Sequence, residues 1–272
     1  MMATTPVYAR TSAGTGVVTQ WKVIRSEWTK FRTLWSCVLV VTVAVLGMIG
    51  IGWVASYFIN ADWAHLRPRE IARFNPVATS LDGYNMAQLA IGTLGVLLVT
   101  GEYTTGLVRA TMAAVPDRLR VLWAKLVVYT AITFVLMMVT SFVTFQGGQW
   151  LLGSHGTTWS APGVSRVVIA TGVYLTLVAM FGVAFGALVR NTAGGIAALF
   201  GVLLVLPAIF GVLPATWQDQ INKYLPSNAG QAALSVVPDP LMLSPWVGMA
   251  VFAGYVAIAI VFAAVLLKRR DV

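Results

Sequence analysis

Charge is scarce in this 272-residue chain: Asp, Glu, Lys and Arg make up only 10% of it, far below the roughly 25% of an ordinary soluble domain. With 58% hydrophobic residues and a mean hydropathy of +0.81, the sequence is that of an integral membrane protein. Cysteine is nearly absent; Cys37 stands alone, which excludes an intrachain disulfide. The only two histidines, His65 and His155, are far apart with no other metal-type ligands at useful spacing, so a metal centre is not expected. The nine acids are dispersed, and no Ser/His/Asp or paired-carboxylate set converges, so no catalytic residue is assigned. There is also no G-x-x-x-x-G-K-[ST] phosphate loop, and the chain cannot supply an ATPase of its own.

What is present is hydrocarbon. Crossing about 30 Å of lipid takes about 17 to 25 helical residues. Six uncharged runs qualify: 35–58, 84–100, 126–145, 167–189, 192–212 and 246–267. Helix is the required state, because lipid offers backbone groups no partners, and the alternation of barrel strands is missing. The expected fold is an all-α, six-span membrane domain over residues 35–272. No span carries a charged residue or histidine in its interior, which disfavours ion coupling through charged side chains.

Lysine and arginine set the orientation. With the N-terminus inside, the inner segments hold thirteen: Arg10, Lys22, Arg25, Lys30, Arg32, Arg109, Arg118, Arg120, Lys125, Arg190, Lys268, Arg269 and Arg270. The outer ones hold five, Arg67, Arg69, Arg73, Arg166 and Lys223, so both termini are placed in the cytoplasm. Arg67, Arg69 and Arg73 run against that rule. All ten tryptophans fall near span ends or in flanking loops, as an interfacial belt requires. The net charge of +9 is explained by topology and anionic headgroups, so nucleic acid is not expected as a partner. The first 16 residues contain no apolar h-region; they read as a disordered cytoplasmic arm rather than a signal peptide.

Three segments outside the spans stand out. In residues 17–34 and on to Trp35, Val17, Trp21, Ile24, Trp28, Phe31 and Trp35 recur at steps of four, three, four, three and four. This predicts an amphipathic helix in the inner interface, with Lys22, Arg25, Glu27, Lys30 and Arg32 projecting elsewhere. It serves as a simple anchor, or also packs on a partner. The polar segment "GEYTTGLVRATMAAVPDRLRVLWAK" at 101–125 is longer than a connection needs, given the two-residue link "RN" at 190–191. A short helix should stop near Ala114, before Pro116, and Asp117 should cap a new helix leading into the third span. Such a projection reads as a docking surface. The outer stretch 213–245 contains Pro226 and Ser227, which can start a short helix through "NAGQAALSVV" that Pro238 and Pro240 end. It is too short to span, so a re-entrant or interfacial element is expected. "FQGGQ" at 145–149 reads as a turn at the outer end of the third span.

The basic stretch "SEWTKFRTLWS", a span, a long outer loop, and a second span ending in the 101–125 segment followed by four more spans resemble the permease subunits of type-2 ABC transporters. The likeness covers the chain from about residue 20 onward. Its most specific part is Glu102, Gly106, Pro116, Arg118 and Lys125 in the first inner loop. The resemblance implies that residues 17–34 are a connecting helix, with Trp21, Arg25, Trp28, Lys30 and Arg32 as its marked residues. It implies that the inner loop is a coupling helix docking a separate ATPase through Glu102, Gly106, Arg109, Met112, Val115, Pro116 and Arg118, and that the stretch before the last span is re-entrant. Two permease copies, or a permease and a paralogue, would then pair with two cytoplasmic ATPase subunits that bind ATP and Mg, in a bacterial plasma membrane. The substrate path would follow the permease interface. Small residues at Ala90, Gly92 and Gly95 in the second span, and at Gly194, Gly195 and Ala198 in the fifth with Pro207 beyond them, are the candidates for that seam. Packing of helices within one subunit explains the same residues. A scaffold or sensor recruiting a cytoplasmic protein through the loop is the alternative function, and a secondary carrier the next. No substrate is assigned.

Overall fold

The computed structural model describes residues 19–107, 117–214, 218 and 220–269, and among these it is helical with no strand. Helix α1 (Gln20–Thr33) is separated from α2 (Trp35–Ala61) by Leu34, whose extended backbone makes an elbow. Two short helices, α3 (Pro68–Arg73) and α4 (Pro76–Leu81), lead into α5 (Tyr84–Thr104). There follow α6 (Arg118–Leu152), α7 (Val164–Val189), α8 (Thr192–Phe210), the short α9 (Pro226–Gln231) and α10 (Pro245–Arg269). Six of them, α2, α5 with the α4 segment before it, α6, α7, α8 and α10, are long and apolar enough to cross a membrane.

Helix α7 is the axis of the bundle; α5, α6, α8 and α10 pack around it, and most of its length is buried. Its small residues make that possible. A side chain at Gly182 would run into the Gly92 carbonyl oxygen of α5, and one at Gly95 would meet the Ala179 carbonyl oxygen of α7 at 2.6 Å. Hydrocarbon adds no hydrophobic drive between helices, so the backbones gain by approaching closely instead. Five hydroxyls within the spans are satisfied locally: Thr42, Ser56, Thr100, Thr171 and Thr176 each donate to the carbonyl four residues back. Two further hydroxyls bridge helices, Tyr129 to the Ile91 carbonyl (2.7 Å) and Ser141 to the Val168 carbonyl (2.8 Å).

Three expectations need correction. The third span is far longer than 126–145, because "FQGGQ" is not a turn but part of the unbroken α6. Its glycines serve contact: Gly147 faces the Trp53 indole, Gly148 faces Ser80, and Gln149 donates to the Pro76 carbonyl (3.0 Å) and Ser80 hydroxyl of the α4 segment. The helix expected through "NAGQAALSVV" ends sooner, as α9 and one 3-10 turn to Leu234. The fifth span keeps its length but carries a π-helical turn at Gly201–Val205, just before Pro207. Proline has no N–H to donate and its ring crowds the preceding turn; widening that turn accommodates it.

The segment after α8 is held down by Arg166 at the start of α7. Its guanidinium donates to the carbonyls of Ala233 (3.0 Å), Ser235 (2.9 Å) and Val236 (3.0 Å). Arg166→Ala strands three acceptors at once, and each charge-assisted bond is worth roughly 1.5–3 kcal/mol. Limited proteolysis should then cut within 235–244 while leaving the helical bundle intact; unchanged resistance would remove this role from Arg166.

Candidate functional site

The end of the bundle that carries α1 gathers the polar groups. Helix α1 lies along the first turns of α6, with Val23 packed against Val121 and Ala124. The buried face of α1 is Val23, Glu27 and Phe31, spaced every four residues, and not the tryptophan stripe. Trp21, Trp28 and Trp35 are exposed. The charges expected off the apolar stripe divide between two environments. Glu27 is buried and Lys30 half-buried, while Arg25 and Arg32 remain exposed.

Glu27 and Lys30 close a four-membered ring of ion pairs with Glu102 at the end of α5 and Lys125 in α6. Lys30 Nζ lies 2.7 Å from Glu27 Oε1 and 2.8 Å from Glu102 Oε1. Lys125 Nζ lies 2.7 Å from Glu27 Oε2 and 2.8 Å from Glu102 Oε1. Two positive and two negative charges alternate, so the ring is neutral and every member has two opposite neighbours. That arrangement offsets the cost of removing four charges from water, which isolated charges could not bear. Burial by itself would lower the pKa of Lys30, but its hydrogen bonds and attraction to Glu102 and Glu27 outweigh burial and hold it above its ordinary 10.5. Its contribution to docking α1 is thus present below that pH and lost as the pH rises through the raised value. A spin label at Arg25→Cys, in a Cys37→Ser background, should report constant mobility of α1 from neutral pH to 10.5 and a rise only beyond it.

The rest of this end is tied to the same point. Tyr103, next to Glu102, lies under the Arg190 guanidinium at 5.4 Å, and Thr192 donates to Thr100 at 2.9 Å. These contacts join the α7–α8 turn to the end of α5. Arg190 itself adopts the left-handed conformation that lets the chain reverse in two residues, and Asn191 caps α8 through the Gly194 N–H. Asp117 caps α6 by accepting from the Leu119 N–H, as its position predicts. Gly106 has a φ of 71°, which favours glycine as the chain leaves α5. Arg118 is half-buried beside Glu102 and Lys125. Arg109, Met112, Val115 and Pro116 lie outside the described residues, as does the helix expected to stop near Ala114.

The seam residues have contacts inside the chain. A side chain at Gly92 would meet Leu199 and Val178; one at Gly195 would meet Val96. Gly92 and Gly95 therefore seat α5 on α7 and α8, and Gly195 seats α8 on α5. Gly194 sits over its own helix start, Ala90 packs against the core, and Ala198 and Pro207 are half-buried. Packing within one chain accounts for Gly92, Gly95 and Gly195; the exposed large apolar residues of α8 are instead Leu204, Val205 and Ile209.

Glu27 is the ring member that sequence reasoning missed. The signal was there, a single acid in a basic helix three residues before Lys30. No protein-family model matches the chain, and no curated protein matches it. What the arrangement can do is mechanical, since it pins α1, the end of α5 and the first turns of α6 together.

Proposed function

We propose that this chain is the membrane subunit of an ATP-driven exporter, working as a pair of permeases with two cytoplasmic ATPase subunits that bind ATP and Mg. Its α1 end, with both termini, faces the cytoplasm, and the 101–120 loop docks the ATPase. The observation that carries the reading is the ring formed by Glu27, Lys30, Glu102 and Lys125. A force applied to the loop enters α5 through Glu102 and α6 through Lys125, and reaches α1 through both. Three elements then move as one body instead of fraying separately, which is what a loop needs to convert closure of a partner into a change of access. The resemblance to type-2 ABC permeases supplies the identity of the partner.

Co-purification of the full chain with a candidate ATPase tests the docking. Met112→Asp together with Val115→Asp should reduce recovery of the ATPase at least tenfold while membrane insertion is unchanged, because a charge in an apolar contact costs several kcal/mol. Normal recovery with both substitutions would sink the assignment.

A further inference from the structure

A cavity of about 400 Å³ lies against the ion ring, between the α1–α2 elbow, α5 and α6. Its volume is within the range of small-molecule sites. The walls are apolar, made chiefly by Phe31, Leu34, Leu94, Leu97, Leu98 and Val128, and Lys30 and Glu102 stand at the polar end. Two lining residues, Leu34 and Leu107, are themselves exposed, at 48% and 56%, so the cavity reaches the surface there. Trp28 and Trp35, exposed on either side of the elbow, mark the level at which headgroups meet hydrocarbon.

The charges at the polar end are unequal in access. The side chain of Lys30 is 36% exposed, against 7% for Glu27 and Lys125 and 13% for Glu102. An ammonium carries three protons, and the ring uses two of those on Lys30, which leaves one for a further acceptor. The ring is neutral, while Lys22, Arg25 and Arg32 on the exposed side of α1 add positive charge around it. An oily cavity that opens into a leaflet does not stay empty, since its lining would forfeit dispersion contacts, and an acyl chain is the filling at hand. The chain confers no selectivity, because lipid tails are as apolar as leucine. The head does.

We propose that this cavity is a binding site for an anionic glycerophospholipid from the leaflet at the α1 end, with one acyl chain inside and a phosphate oxygen on Lys30 Nζ. The bound lipid sits between the elbow and α5, beside the ring, and so stabilises the docked position of α1. The site is independent of the transport reading, and its test involves neither ATPase nor export.

The full chain, reconstituted in phosphatidylcholine vesicles, is photolysed with trace phosphatidylglycerol or phosphatidylcholine carrying a diazirine on one acyl chain, and the labelled peptides are mapped. The expected result is labelling within 31–37 and 94–98, with a roughly fivefold preference for phosphatidylglycerol, the size expected of one lysine contact to an anionic lipid. Excess inorganic phosphate should not compete, and Leu97→Trp, which fills the cavity, should abolish the labelling. Equal labelling by the two lipids would overturn recognition of the head. Labelling confined to the outward faces of α2, α8 and α10 would overturn the site, and suppression by inorganic phosphate would make it an anion site rather than a lipid site. Lys30→Gln serves as a second variant where Leu97→Trp does not fold: the preference for phosphatidylglycerol should fall to parity, and its persistence would refute the contact.

Discussion

Lys125→Met should be among the most damaging single substitutions in this protein, costing on the order of 3–5 kcal/mol. The reason is charge and not volume. Methionine fills much of the same space, but it leaves Glu27 and Glu102 sharing only Lys30, with one uncompensated negative charge at a buried position. The measurement is retention of the monodisperse protein in mild detergent after heating. A second substitution separates the explanations: Glu102→Gln in the Lys125→Met background returns the cluster to one pair, Glu27 with Lys30, and should recover at least ~1 kcal/mol, as coupled neighbours do. If the double variant is no more stable than Lys125→Met alone, the ring does not act as a unit. The same loss should loosen α1, which would keep the apolar contacts of Val23 with Val121 and Ala124 and of Phe31 with Tyr129, and the Lys30–Glu102 pair.

Gly182→Val should be comparably severe for a different reason. Its side chain would occupy the place of the Gly92 carbonyl oxygen, a backbone atom of the facing helix that cannot rotate away. Helices α5 and α7 would have to separate, and with them the contacts of Gly95 and Gly186, which lie along the same seam. Overpacking of a dense core costs roughly 1–3 kcal/mol where side chains can yield, and more is expected where only backbone can. Loss of the monodisperse peak on size exclusion checks it. Gly50→Ala is the matched control, because nothing stands within 4 Å of the added carbon, and it should leave the protein unchanged. Equal behaviour of the two variants would show that the seam is not the constraint it is taken to be.

The sequence by itself determined the six apolar helices and the cap at Asp117, and it set Glu102, Lys30 and Lys125 outside the uncharged spans. Each of these rests on a local rule: span length against bilayer thickness, a side-chain oxygen next to free N–H groups, a charge that stops an apolar run. It misplaced what depends on which neighbour a residue meets. In water an apolar stripe points to the protein interior; beside a membrane, lipid and protein interior are both apolar, so the stripe of Trp21, Trp28 and Trp35 does not say which side is which. The tertiary structure turned the face with Val23, Glu27 and Phe31 inward, and Glu27 can be buried there because Lys125, 98 residues away, arrives from α6. The glycines behaved likewise. Gly147 and Gly148 read as a turn because glycine ends helices in water, whereas in a bundle that gains nothing from oil contacting oil they let Trp53 and Ser80 come close. Pairing across helices and close approach of backbones are long-range facts, and only the packed chain decided them.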